Sequence, residues 1–109
     1  MTDLAPLNAL AQQIYDNARA KGFWEADRNL GEMLMLAVSE LSEALEEHRN
    51  GAPAHYVLGT KPEGVAVEIA DCIIRCLDTM HSLDVDIDAI VAEKMAYNAT
   101  RPRKHGKAY

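Results

Sequence analysis

Residues 39–47 read SELSEALEE and residues 67–73 read VEIADCI. Each stretch sets two carboxylates three positions apart inside an apolar run: Glu40 and Glu43 in the first, Glu68 and Asp71 in the second. Residues three apart share one face of a helix, and the surrounding apolar spacing is that of buried helix. A carboxylate is costly to bury unless something compensates its charge. The two stretches therefore predict helices, and they predict acids inside them that need a counter-charge.

Working outward, four helices account for the 109 residues. The first is expected from about Leu4 to Lys21. Asp3 is its cap, Pro6 lies in its first turn, and Leu7, Leu10, Ile14 and Ala18 form one stripe before Gly22 ends it. The second runs from about Asn29 to Asn50. Met33, Leu34, Leu36, Ala37, Val38, Leu41, Ala44 and Leu45 cover most of its circumference, the pattern of a central helix. Gly51 stops it, and residues 51–59 read as a loop.

The third helix is expected to open at Thr60. Thr60 and Glu63 have capping-box spacing, and Pro62 suits a first turn. Its apolar set runs from Val65 through Ile69, Ile73 and Leu77 to Met80, which marks a second central helix. Asp86 can cap the fourth, through Ile87, Ile90, Val91 and Met95. Pro102 limits that helix to about Thr100. Residues 101–109, RPRKHGKAY, form a basic tail. Without a repeat or a second compositional block, the chain reads as a single domain over residues 1–109. The expected fold is all-α, a four-helix bundle that oligomerises, because two helices are apolar on more faces than one thin bundle can cover.

Composition narrows the function. Hydrophobic residues make up 49% of the chain, which argues against disorder. A net charge of −6 argues against a nucleic-acid duplex as partner. No apolar run is long enough to span a bilayer, and MTDLAPLNAL lacks the basic start of a secretory signal. No membrane association and a cytoplasmic location are the expectations. Cys72 and Cys76 read as reduced core residues, not as a disulfide framework.

If the second and third helices pack antiparallel, the two acid pairs face each other. Protonation, a paired Arg or Lys, or a divalent ion could offset their repulsion. A site made only of carboxylates selects a hard ion, Mg²⁺ or Mn²⁺. A single E-x-x-E is ordinarily a solvated face, and Glu43 with Glu46 is read that way. No His follows a Glu by three residues, which excludes the di-iron pattern. DVDID at 84–88 lacks the glycine and final acid of a calcium loop. No phosphate-binding glycine loop is present.

E-x-x-E, 24 intervening residues (44–67), then E-x-x-D resembles the signature of the MazG-like all-α nucleoside triphosphate pyrophosphohydrolases. GFW followed by RNLGEML, then EIADCIIRCLD, then KMAYNATRPRKHGK resemble further segments of that family. The resemblance covers residues 22–50 and 64–106. It implies a homodimer or a dimer of dimers, and Mg²⁺-dependent cleavage of a (deoxy)nucleoside triphosphate to the monophosphate and pyrophosphate. It implies Glu40, Glu43, Glu68 and Asp71 as metal ligands, with Glu43 also the candidate base. Lys94, Asn98 and Arg101, spaced four and three apart, become phosphate or sugar contacts. Phe23 and Trp24 could stack on the base and Asn29 could bond its edge; equally, the aromatics could plug the bundle end. Ser39 stands where some relatives carry another acid, which leaves the metal count open. Two other functions fit the same residues: a phosphoribosyl-ATP pyrophosphatase, and a non-catalytic helical interaction module.

Overall fold

The computed structural model describes residues 6–108. It is mostly helical: α1 (Pro6–Ala20), α2 (Leu30–Arg49), α3 (Val65–Ser82) and α4 (Ile87–Ala99). A short hairpin of β1 (Tyr56–Leu58) and β2 (Lys61–Glu63) lies between α2 and α3, and a 3₁₀ turn covers Arg103–Gly106. The expected Asp3 cap and the Leu4 start of the first helix lie outside the described residues.

Local chemistry explains most of the boundaries. Phe23 N–H donates to Ala18 O and Gly22 N–H to Arg19 O, which closes α1 with the paired bonds of a glycine-terminated helix. Asn29 Oδ1 accepts Glu32 N–H at 3.0 Å and starts α2. Asp86 Oδ1 accepts Ala89 N–H at 3.1 Å and starts α4. Thr100 is the C-cap of α4, where Pro102 was expected to stop it.

The expected start of the third helix is overturned. Residues 60–63 are not a capped first turn: Tyr56 pairs with Glu63, Val57 with Pro62 and Leu58 with Lys61 in an antiparallel ladder. Thr60 sits at the hairpin turn, and α3 begins only at Val65. The cause lies at Gly64, which adopts φ +115°, a conformation L residues rarely take. A Cβ there would stand 2.4 Å from Ala54 O. Ala66 N–H meanwhile donates to that same carbonyl at 2.9 Å, docking the loop onto the start of α3.

α2 and α3 form the principal pair and run antiparallel: Glu40 meets Arg75 near the middle of both helices, and Glu47, late in α2, lies near Glu68, early in α3. α1 packs on α3, and α4 packs on α1. The α1–α4 joint is a polar clasp over a small core. Asp88 accepts the N–H groups of Leu7 (3.1 Å) and Asn8 (2.8 Å) at the open end of α1. Asn8 Oδ1 in return accepts Ile87 N–H at 2.9 Å, and Asn8 Nδ2 donates to Asp86. Beneath the clasp Ile87, Ala11 and Leu77 are buried, with Leu7, Ile14 and Met80 against them.

The single chain leaves its two central helices partly uncovered. α2 buries Met33, Ala37, Glu40 and Ala44 but exposes Leu34, Leu41 and Leu45. α3 exposes Ile69, Ile73 and Ile74. Cys72 is half-buried and Cys76 exposed, so the cysteines are free thiols but not both core residues. The radius of gyration is 16.6 Å, against about 13 Å for a close-packed chain of this length. No helix among the described residues is long and apolar enough to cross a membrane.

Candidate metal centre

The antiparallel seam brings the acid pairs together. Carboxylate oxygens of Glu40, Glu68 and Asp71 lie within 4.8 Å of one another, with Glu40 buried and the other two half-buried. Glu43 stands outside this triad at the exposed rim, yet close enough for its carboxyl to act on Glu68. Burial, together with hydrogen bonding to and the charges of Glu43 and Glu40, pushes the Glu68 carboxyl up to about 7. Burial raises Asp71 too, as does the charge on Glu40, while Arg75 pulls the other way. Glu40 differs. Burial pushes it up, but hydrogen bonds from Arg75, Glu68 and Glu43 outweigh that and hold it below the usual range. At neutral pH the cluster therefore shares a proton, centred on Glu68.

One observation bears directly on whether a cation suits this seam. Glu68 Oε2 is buried and, among the described residues, accepts no hydrogen bond from an N–H or hydroxyl donor. A buried acceptor without a donor is costly. Adjacent oxygens around an octahedral hard ion at about 2.1 Å stand about 3 Å apart, so the triad's oxygens, within 4.8 Å of one another, would draw inward to share one ion. The donor set is all carboxylate, which fits Mg²⁺ or Mn²⁺ and not a soft ion.

Two cavities flank the seam. The larger, about 610 Å³, is lined by Glu43, Glu47, Glu68, Tyr56 and Lys61 among others. The hairpin supplies its outer wall: Tyr56 Oη donates to the Glu47 carboxylate at 3.1 Å, and Lys61 Nζ pairs with Glu63 at 2.9 Å. That hydrogen bond and the charge of Glu63 raise the Lys61 ammonium, as do Glu68 and Glu43 more weakly. Glu47, Glu63 and Glu68 also bring oxygens within 4.8 Å of one another. The smaller cavity, about 260 Å³, is lined by Ala18, Phe23, Arg28, Glu40, Asp71, Ile74 and Arg75.

The structure distributes the other expected site residues differently. Trp24 does not line the cavity beside Glu40; its Nε1–H donates to both Asp78 oxygens at 3.2 Å. Phe23, 59% exposed, is the aromatic on that cavity wall. The Asn29 side chain is engaged as the cap of α2. Lys94, on α4, and Arg101, just after it, flank the Tyr97 ring at 4.9 and 5.6 Å. Among the described residues neither forms an ion pair with any of the four acids. Asn98 Oδ1 is buried without a partner.

Sequence reasoning missed three cations that do border the acids or their cavities: Lys61, Arg28 and Arg75. Arg75 had a signal, since Glu68, Asp71 and Arg75 follow one helical face at intervals of three and four. Lys61 had none once its segment was read as helix. No protein-family model, curated protein or solved structure matches the chain.

Proposed function

We propose that the protein hydrolyses (deoxy)nucleoside triphosphates to the nucleoside monophosphate and pyrophosphate, with Mg²⁺ or Mn²⁺ held by Glu40, Glu68 and Asp71 and, at the rim, Glu43. The observation that carries this reading is the convergence of three carboxylates across two antiparallel helices, with Glu68 Oε2 buried and, among the described residues, without an N–H or hydroxyl donor. The resemblance of the E-x-x-E and E-x-x-D segments to the MazG-like family supplies the substrate class.

A bound divalent ion would neutralise phosphate charge and lower the pKa of an attacking water. The chain's own residues do the rest. Glu40, Glu68 and Asp71 fix the position of the positive charge from rigid helices. Glu43, outside the triad and open to solvent, is free to accept a proton from water. Lys61 offers ammonium donors at the cavity that Glu43 and Glu68 line, beside the Tyr56 ring. Phe23 offers a flat apolar face in the cavity beside Glu40 and Asp71.

Lys94, Asn98 and Arg101 reach substrate in this reading only from a second copy, because α4 of the same chain packs on α1. The uncovered apolar residues of α2 and α3 and the open shape support a homo-oligomer, a dimer or a dimer of dimers.

The test is a screen of the purified full chain with Mg²⁺ or Mn²⁺ against canonical and modified nucleoside triphosphates, scored for pyrophosphate against single phosphate. Pyrophosphate release is expected. Pyrophosphate from phosphoribosyl-ATP but from no deoxynucleotide would select the histidine-synthesis reaction instead. No turnover with any triphosphate, from an intact oligomer, would leave only an interaction module.

A further inference from the structure

Arg75 occupies an unusual place in the acid seam. Its Nε–H donates to Glu40 Oε1 at 2.8 Å, across from α3 to α2. Glu40 is buried, and Arg75 shares its cavity with Asp71, Arg28 and Phe23. Arg75 is therefore the cation paired with Glu40 in the triad. Arg28, the other guanidinium of that cavity, is committed elsewhere: it pairs with Asp78 at 3.4 Å and lies over the Trp24 ring at 5.0 Å.

A guanidinium and a divalent ion make the same demand on Glu40, that of a positive charge within reach of its carboxylate. With Arg75 seated on Glu40, an arriving divalent ion would share that carboxylate with a second cation, and the two like charges would repel at short range. We propose that Arg75 is a built-in counter-cation that holds Glu40 until a divalent ion arrives, and that metal loading releases its guanidinium into the cavity beside Phe23 and Arg28. The released group keeps its charge, since arginine does not deprotonate in proteins, and its fork matches phosphate oxygens. One side chain thus links the two events the proposed hydrolysis needs: metal entry at Glu40 and an anion-binding donor next to it. This inference rests on the triad being a metal site.

The experiment reads metal binding, not turnover. Full-length wild-type, Arg75→Gln and Arg75→Lys chains are titrated with Mn²⁺ and the free ion is followed by electron paramagnetic resonance. Removing the competing charge should tighten Mn²⁺ binding by about three- to tenfold in R75Q. R75K, which keeps the charge, should stay near wild type. Without metal R75Q should melt lower than wild type, and the gap should narrow with saturating Mn²⁺. A residue that merely orients Glu40 for the metal would give the opposite result, weaker Mn²⁺ binding in R75Q, and that or an unchanged affinity overturns the inference.

A second measurement needs no variant. In the wild-type protein the Arg75 Nε–H resonance should move toward its solvent position as diamagnetic Mg²⁺ saturates the site. A resonance that stays fixed through saturation overturns the release. Wild-type protein that binds no Mn²⁺ at all overturns the metal reading beneath it. Normal metal binding with no response at Arg75 overturns this inference alone.

Discussion

Trp24 donates its indole N–H to both carboxylate oxygens of Asp78 at 3.2 Å, and so ties the link after α1 to the helix that carries Glu68 and Asp71. Tyr15 packs against the same indole at 5.7 Å and stacks on His81 at 4.3 Å. Asp78 is buried, and its remaining partner is Arg28. The acid is thus the knot of a small network in which a charged group is satisfied by an indole and a guanidinium.

Asp78→Asn keeps the shape of that knot but loses its charge, and one of its two acceptor atoms becomes a donor. Destabilisation of about 1–3 kcal/mol is expected, with Mn²⁺ affinity unchanged because Asp78 lies outside the triad. Thermal melting and a metal titration on the same sample check both halves. A loss of metal binding without a loss of stability would show that the network serves the site and not the fold.

Glu40→Gln or Asp71→Asn removes a negative ligand from a hard-ion site. Turnover of the best triphosphate should fall on the order of a hundredfold or more, while circular dichroism stays that of a helical protein. Repulsion in the triad is relieved by either change. For Glu40→Gln the Arg75 contact also weakens, so of the two variants Asp71→Asn should be the more stable without metal. Kinetics within a few-fold of wild type in both variants would remove the triad from the chemistry.

The proton on Glu68 gives the fold a pH dependence. Its carboxyl is raised from an ordinary 4.5 to about 7 in the folded chain, burial being the main cause. A raised acid binds its proton more tightly folded than unfolded. Its stabilising contribution is present below about 4.5 and is lost as pH rises through about 7. Asp71 is shifted in the same direction. Glu40, shifted downward, acts below this window and in the opposite sense. Metal-free protein should therefore melt progressively lower from about pH 5 to pH 8, and Mg²⁺ should reverse the trend while displacing the proton. Melting curves in chelator and in Mg²⁺, with proton release followed by calorimetry in two buffers, test this. A metal-free melting temperature that rises across the window contradicts it.

How much of this was legible in the sequence depends on whether a signal was local. The acid pairs were legible because a spacing of three residues fixes a shared helical face, and the antiparallel seam then brings Glu40, Glu68 and Asp71 together. The Asp86 cap was legible for the same reason: cap and helix are neighbours in the chain. The hairpin was not. Thr60, Pro62 and Glu63 satisfy every local rule for a helix start, and what defeats them is Gly64 against Ala54, a contact across ten positions of chain. Trp24 was placed by type alone, as an aromatic that could stack on a base; its partner, Asp78, lies 54 residues away. Arg75 was not singled out, though its position follows Asp71 by four.

The clasp at the start of α4 carries more than a cap. Asp88 satisfies two N–H groups at the open end of α1, and Asn8 answers from the other side. Asp88→Ala should cost about 1–2 kcal/mol and speed amide exchange along α4, whose main contact is with α1. Hydrogen exchange resolved by segment checks it. Faster exchange in α2 and α3 but not in α4 would show that the joint supports the seam instead.

The basic residues of α4 make a prediction about two copies. Lys94→Ala and Glu40→Gln, each inactive or nearly so alone, should regain activity when mixed, since a mixed dimer holds one site with an intact acid seam and intact basic residues. Up to about a quarter of wild-type activity is the statistical expectation for equal, freely exchanging dimers with one restored site in half of them. Activity assays before and after subunit exchange measure it. No recovery, with exchange verified by mass, would place Lys94 outside the site.

Gly64 also constrains how this chain can vary. The carbonyls of Ala54 and Pro53 stand so near its Cα that any side chain would meet them, and its φ of +115° suits no other residue well. The hairpin between these contacts carries Tyr56, Lys61 and Glu63 to the acid cavity. A substitution at 64 cannot be answered by one change elsewhere, because what it strikes is backbone, which every residue at 53 or 54 possesses. Drift at this position must rebuild the whole segment from 53 to 64 in one step or not occur. The bend that aims the hairpin is therefore expected to be among the slowest-changing parts of the molecule, although it contributes no functional side chain of its own.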